Sequence, residues 1–317
     1  MTNAEPAAAW PGAGAALQVP AIRAREPLAP YTTFRIGGAA DWFCDAPTAG
    51  DLRSAVAAAT GAGVPVTVLG GGSNVLIGDG GVRGLVVRPR ERRIELVRPG
   101  IVRASAGVTL NGLVRWTIGR GLAGLEGWAG TPGTVGGAVY GNAHFRDRLL
   151  SEVVAAVGMA APDGTERVAP ADAMAFGYDA SRLQQTGEVA LWVEFAVAEA
   201  EPAALRARAR EALAYRKRTQ PLSVPSAGCV FRNPEARDSI LPADVPASAG
   251  ALIDRAGLKG TAIGSARVSE RHANFIVAGP GATARDVRAL VDLCRVRVEA
   301  TFGVLLRREV VYLGEFS

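Results

Sequence analysis

The sequence predicts an α+β protein of more than one domain, and three observations carry that expectation. At 317 residues the chain exceeds one ordinary domain and suits two or three of common size. Its first half alternates short β-branched runs with helical patterns. Its second half sets a mostly extended stretch ahead of two helix-forming segments.

Taken in order, residues 1–20 are rich in Ala, Pro and Gly and lack the basic start and apolar block of a signal peptide. They read as a disordered leader. Between Pro47 and Gly63, Leu52, Val56 and Ala59 recur at helical spacing. Pro65 to Leu69 is a strand that stops in three glycines, and Leu85–Val87, Ile94–Val97 and Ile101–Ala106 repeat the short-strand pattern. Thr109 to Arg120 is a helix. Val153–Val157, Glu166–Val168 and Val189–Val197 are strands, and Ala203 to Ala214 returns to helix. Thr283 and Asp286 form a capping signal ahead of Val287, Leu290, Val291, Cys294 and Val298, which trace one helical face. Gly303 closes that helix, and Leu305 to Leu313 reads as a terminal strand.

Composition narrows the function. The hydrophobic share is 49%, yet no apolar run approaches the roughly 18 residues of a membrane span. Three cysteines, Cys44, Cys229 and Cys294, lie far apart without a CxxC, and there are only two histidines. Neither a disulfide framework nor a metal site is expected, and a reducing cytoplasm fits. The net charge of +5 comes from scattered basic residues, which favours a small phosphorylated partner over nucleic acid.

Gly70-Gly71-Gly72-Ser73-Asn74 follows a strand with a side-chain-free turn whose backbone N–H groups can converge on a diphosphate. An ordinary flexible turn is the alternative. A second loop, Gly130-Thr131-Pro132-Gly133-Thr134-Val135-Gly136-Gly137-Ala138, again combines glycines with hydroxyls, and two such loops favour a long dinucleotide. Gly119 to Gly124 formally matches GxGxxG but follows a helical pattern, so the match is treated as chance.

Together with Thr32-Thr33-Phe34-Arg35-Ile36-Gly37-Gly38, Asp79-Gly80-Gly81, the run from Gln220 to Pro234, and the runs 251–260 and 268–277, these loops resemble the UDP-N-acetylenolpyruvoylglucosamine reductase (MurB) family over about residues 26 to 316. The resemblance implies a two-subdomain FAD-binding fold of the vanillyl-alcohol-oxidase (PCMH-like) kind over 21–90 and 91–202, then an α+β substrate domain over 203–317. It also implies NADPH as reductant and UDP-N-acetylglucosamine-enolpyruvate as substrate, in a cytoplasmic monomer of peptidoglycan precursor synthesis. Because the segment after Arg182 runs promptly into a strand, the family type lacking an extra tyrosine loop is the closer match.

The resemblance assigns FAD to Gly70, Gly71, Gly72, Ser73, Asn74, Gly130, Thr131, Gly133, Thr134, Gly136, Gly137 and Ala138. It places the proton donor, usually serine in the family, at Cys229, and the catalytic glutamate at Glu309, with a small buried cysteine and an edge-strand carboxylate as the respective alternatives. Lys217, Arg218 and Asn233 are substrate-binding candidates, the first two as charge for a diphosphate. The family's catalytic arginine position holds Asp179 here, and Arg307 stands where a further glutamate is often seen. A carboxylate where enolate charge develops opposes it unless a cation intervenes, and Arg182 is a candidate substitute. His144 and His272 read as loop hydrogen-bonders. Asp179 keeps two other readings open: a different FAD-dependent oxidoreductase of the same fold, or a degenerate homologue that binds flavin or UDP-sugar with little turnover.

Overall fold

The computed structural model describes residues 10–11, 19–146, 148–234 and 245–316. Of the expected leader, only Trp10, Pro11, Val19 and Pro20 fall within them. The chain divides into two compact units, Met1–Glu26 with Ala40–Gly71 and Arg83–Ala214, and Pro27–Ala39 with Gly72–Val82 and Tyr215–Ser317. The second unit therefore takes two short segments from the N-terminal part of the sequence.

In the first unit a four-stranded sheet has the order Arg23–Pro27, Ala39–Ala46, Val82–Pro89, Val66–Val68, the last two parallel. Helix α1 (Ala49–Gly61) starts on a capping box in which Thr48 and Asp51 each satisfy the other's backbone amide. It buries Leu52, Ala55, Val56 and Ala59 in one core with Leu85 and Val87 of the sheet. A five-stranded antiparallel sheet runs Glu166–Pro170, Val154–Ala160, Val189–Ala196, Ile101–Ser105, Ile94–Arg98. Helix α2 (Leu110–Gly119) buries Leu110, Leu113, Val114 and Ile118, a spacing that keeps one face inward. This face and α3 (Val135–Tyr140) share a core with Trp128, Val193 and Phe195. Because α2 extends to Gly119, the GxGxxG match does follow a helix. The short α4 (Leu183–Thr186) and the long α5 (Pro202–Thr219) follow.

In the second unit α6 (Ala249–Arg255) and α7 (Ala284–Phe302) share a core with a three-stranded antiparallel sheet of Ala262–Ile263, Ala266–Val268 and Ile276–Ala278. Helix α7 has the expected Thr283–Asp286 capping box and the expected buried face, and it ends at Gly303 with φ 68°. Asp79 adds to its N-terminus, accepting from the amides of Ala284 at 2.9 Å and Arg285 at 3.0 Å. No helix of the described residues is long and apolar enough to cross a membrane.

The terminal strand is shorter than the sequence predicts, covering only Val311–Leu313, which pairs in parallel with Val75–Ile77. The reason is a bulge. The amides of Glu309 (2.8 Å) and Val310 (3.3 Å) both donate to the single carbonyl of Val230. Two residues facing one interrupt the ladder and re-aim the side chain there.

Candidate active site

In the first unit the strand Val66–Val68 continues through Leu69, whose amide donates to the Val87 carbonyl at 2.9 Å, and stops at Gly70. A Cβ on Gly70 would stand 2.5 Å from Thr134 Oγ1, and one on Gly71 would stand 2.7 Å from the Gly133 Cα. The two glycine loops, far apart in sequence, thus meet backbone to backbone, which explains why neither position carries a side chain. The amides of Gly70 and Gly71 have no acceptor among the described residues. Those of Gly130, Gly136, Gly137 and Ala138 are engaged, by Asn111 Oδ1, the Ala106 carbonyl, Thr134 Oγ1 and the Thr134 carbonyl respectively. Gly136 is also close-packed, since its Cβ would lie 2.9 Å from that of Ala106. Thr131 closes its loop with an amide bond of 2.9 Å to the Trp128 carbonyl.

In the second unit Gly72, at φ 60°, lies so close to Tyr31 and Thr32 that a Cβ would fall 2.8 Å from the Thr32 Cα. Its carbonyl accepts from the amide of Thr33 at 3.0 Å and from Thr33 Oγ1 at 3.3 Å. The amides of Gly72, Ser73 and Asn74 have no acceptor among the described residues. Asn74 reaches the candidate acid's backbone, donating from Nδ2 to the Glu309 carbonyl at 3.3 Å, while its own carbonyl accepts from Val311 at 3.0 Å.

Three segments converge around Cys229. Gly228, at φ 82°, turns the chain so that Cys229 bridges Phe275 and Phe231 bridges Arg308. Asn274 clamps Phe231 at both backbone groups, accepting at 2.9 Å and donating at 2.7 Å. Cys229 and Glu309 therefore stand on neighbouring backbone, each half-buried. Cys44 and Cys294 are buried, and desolvation pushes both thiols up to about 12. Only Cys229 of the three keeps solvent access.

Asp179 lies in the first unit, in a tight turn closed by paired backbone bonds between Gly177 and Ala180. It is 8% exposed and sits at φ 51°, a region that Asp and Asn enter more readily than most residues. Its Oδ1 lies 3.2 Å from His144 Nδ1. The sequence places Arg182 on an extended segment, but the turn and α4 intervene. Arg182 donates to Glu188 from Nε at 2.7 Å and from Nη2 at 2.9 Å, so that guanidinium is committed elsewhere.

Comparison with known proteins decides the family. Residues 42–169 match the FAD binding domain family, and residues 220–313 match the C-terminal domain of UDP-N-acetylenolpyruvoylglucosamine reductase. The reductase of that name from Synechococcus sp. (strain JA-3-3Ab) is 40% identical over 93% of this chain and 92% of its own. The one from Anaeromyxobacter sp. (strain K) is 43% identical over 92% of this chain and 85% of its own. The chain belongs to the UDP-N-acetylenolpyruvoylglucosamine reductase family. The crystal structure of the family's enzyme (MurB) from Thermus caldophilus superposes with a TM-score of 0.77 at 34% identity, over 92% of this chain and all 100% of that one. The expected α+β fold, an FAD-binding portion followed by the family's C-terminal domain, stands.

For a member of this family the glycine loops fit FAD. With Gly70 and Gly71 packed against Thr134 and Gly133, it is their open backbone amides that suit a diphosphate.

The substrate candidates fare differently. Lys217 and Arg218 are exposed on the last turn of α5, with the Lys217 carbonyl accepting from Arg271 Nη1 at 3.3 Å. Asn233 has its Oδ1 bonded to the Ala249 amide at 3.1 Å, at the start of α6, which leaves its NH2 to donate elsewhere. Arg216, in the same basic run Tyr215-Arg216-Lys217-Arg218 but not singled out as a binding candidate, is 6% exposed; desolvation pulls its pKa down to about 10 while the neighbouring Cys229 opposes the shift. The signal was there in helical phase, since Leu205, Ala212 and Arg216 fall on one buried face of α5. His272 behaves as expected of a loop hydrogen-bonder, accepting from the Asn274 amide at 3.3 Å, with burial lowering its pKa.

Proposed function

We propose that the protein is an FAD-dependent, NADPH-oxidising reductase that converts UDP-N-acetylglucosamine-enolpyruvate to UDP-N-acetylmuramate in peptidoglycan precursor synthesis. The observation that carries this reading is the convergence of Cys229 and Glu309 on neighbouring backbone within the second unit. Reduction of an enolpyruvyl double bond needs hydride at one carbon and a proton at the next, so an acid must be held in place beside the reacting atoms. FAD held at Gly70 and Gly71 would supply the hydride chemistry, linking NADPH oxidation to reduction of the terminal enolpyruvyl carbon.

The chain's own groups do the rest. The Cys229 thiol gives its proton to the carbon bearing the ether oxygen, a task for which a thiol of ordinary pKa near 8.5 is a far better acid than an alcohol. Glu309, carried on the neighbouring bulged backbone, adds a carboxyl to the same part of the unit. The open amides of Gly70 and Gly71 hold the cofactor diphosphate, and Lys217 and Arg218 carry positive charge toward the diphosphate of the UDP-sugar. Asn233 orients the sugar nucleotide through its remaining NH2. The finer reading adds a cytoplasmic monomer, which size-exclusion chromatography tests directly.

Turnover decides the assignment. Purified, flavin-loaded protein given NADPH and UDP-N-acetylglucosamine-enolpyruvate is expected to consume both in equal amounts and release UDP-N-acetylmuramate. Flavin that NADPH reduces but the enolpyruvyl compound never reoxidises refutes this substrate assignment.

A further inference from the structure

Asn274, in the second unit, is 3% exposed, and both ends of its side-chain amide are committed to the backbone of one residue. Its Oδ1 accepts from the Phe231 amide at 2.9 Å, and its Nδ2 donates to the Phe231 carbonyl at 2.7 Å. The Phe231 amide has no main-chain acceptor among the described residues, so this side chain alone satisfies it. Main chain continues the same edge: the Val230 amide donates to the Asn274 carbonyl at 2.8 Å, and Cys229 bridges Phe275. On the opposite edge, Arg232 donates to the Arg307 carbonyl at 2.9 Å and Val230 accepts from Glu309 at 2.8 Å. The segment after Cys229 is thus bonded along both edges, and on one of them a side chain stands in for a neighbouring strand.

The loop that presents Asn274 joins the strands Ala266–Val268 and Ile276–Ala278 and is itself held. The Ser269 amide donates to the Phe275 carbonyl at 2.8 Å, the Phe275 amide to the His272 carbonyl at 2.9 Å, and the Arg271 amide to Ser269 Oγ at 3.2 Å. Arg271 Nη1 ties the loop to the end of α5 through the carbonyls of Lys217 at 3.3 Å and Gln220 at 3.4 Å.

We propose that Asn274 is the positioning residue of the Cys229 thiol. Cys229 follows Gly228 at φ 82°, and a glycine restrains its successor little, so the hold on Val230 and Phe231 sets where the thiol points. A general acid works only with its proton in reach of the accepting atom, and a displacement of about 1 Å costs on the order of 100-fold. Asn274 acts through Phe231, and its loss leaves the bonds between Val230 and Glu309 in place. The inference rests on the reductase reading above, in which Cys229 is the acid.

Two measurements on the flavin-loaded protein test it. Asn274→Ala removes both side-chain bonds, and Asn274→Ser, too short to span both groups, keeps a small polar side chain should the alanine variant fold poorly. Amide hydrogen exchange reads the clamp without turnover. Relative to the amides of α7, which report global opening, Phe231 is expected to exchange at least about tenfold faster in either variant than in the natural protein. An unchanged ratio overturns the clamp. In single turnover, reoxidation of the flavin by the enolpyruvyl compound is expected to slow about 100-fold in Asn274→Ala, with KM for the UDP-sugar little changed and flavin reduction by NADPH at its natural rate. Placed in Cys229→Ala, the same change is expected to cost less than about threefold, because the group it positions is gone. An equal loss in both backgrounds, or no loss in either, overturns the proposal. A natural protein whose flavin NADPH reduces but the enolpyruvyl compound never reoxidises sinks the reductase reading instead, and the exchange ratio still judges the clamp.

Discussion

The amide of Glu309 donates to the carbonyl oxygen of Val230 at 2.8 Å, and this bond ties the candidate glutamate to the residue after the candidate proton donor. Because the Val310 amide shares that acceptor at 3.3 Å, the backbone bulges at Glu309 instead of continuing as a strand. The relative placement of Cys229 and Glu309 is therefore fixed by main chain, and substitutions at position 229 read its chemistry without moving its neighbour.

Replacing Cys229 separates acid chemistry from packing. Cys229→Ser is expected to keep turnover within roughly tenfold, since a hydroxyl fills the same place and also carries a proton, though a less acidic one. Cys229→Ala is expected to lose about 100- to 1,000-fold in kcat, the range for a removed general acid. Flavin reduction by NADPH remains at its natural rate in both. Single-turnover absorbance of the flavin checks this, and an alanine variant as fast as the natural protein assigns the proton elsewhere.

The cofactor cradle is tested by one methyl group. Gly71→Ala would place its Cβ 2.7 Å from the Gly133 Cα, a backbone neighbour that cannot rotate away. It is expected to abolish FAD retention, read as the ratio of flavin to protein absorbance after gel filtration. At Gly70→Ala the obstacle is Thr134 Oγ1, a side-chain atom at 2.5 Å that can turn aside at the cost of its cap on α3, so partial retention is expected. Equal flavin content in Gly71→Ala and the natural protein would show that the loops do not need their close approach.

The Arg182–Glu188 pair has a stability role that distinguishes it from catalysis. The Glu188 side chain is 4% exposed, and Arg182 beside it, helped by Thr186, holds its carboxyl below the usual range. A lowered folded pKa means stability that is complete above the unfolded value near 4.3 and lost as pH falls through the folded value. Arg182→Ala leaves a buried charge with weaker partners and is expected to cost about 2–4 kcal/mol in urea unfolding at neutral pH. Most of that difference should vanish only once the pH has fallen below that lowered folded value. A variant equally destabilised at both pH values shows that lost packing, not charge, is responsible.

Local chemistry was legible in the sequence where one residue type answers to one backbone need. Thr283 and Asp286 announced a helix start, Gly303 its end, and the inward spacing from Val287 to Val298 its buried face. The glycine loops were legible for the same reason, but not that Gly71 meets Gly133, because that contact joins residues 62 positions apart. The turn at Asp179 was less legible, since its two corner residues are Tyr178 and Asp179 and the glycine, Gly177, stands just before them, where extended chain also accepts it. His144 escaped for a related reason. Its partners come from a segment 34 and 35 residues away, and a lone histidine carries no spacing signal of its own.

Arg216 makes the last prediction. Its guanidinium is buried, with desolvation drawing its pKa to about 10 and the Cys229 side chain acting in the opposite direction. Alkylating agents attack the thiolate, so a cation beside the sulfur bears on how fast it is labelled. Cys44 and Cys294 lie at the other extreme, buried and with thiols pushed up to about 12. Iodoacetamide at mildly alkaline pH is therefore expected to label Cys229 first and leave the other two unmodified until the protein unfolds, as peptide mass mapping would show. Arg216→Met keeps most of the apolar stem and removes the charge, so it is expected to slow labelling of Cys229 severalfold while leaving Cys44 and Cys294 silent. Labelling of Cys229 that is as fast in Arg216→Met as in the natural protein would mean the guanidinium does not act on the sulfur. In that case the bond from its Nη1 to Gln220 Oε1, at 3.5 Å, points to a role in closing the helix.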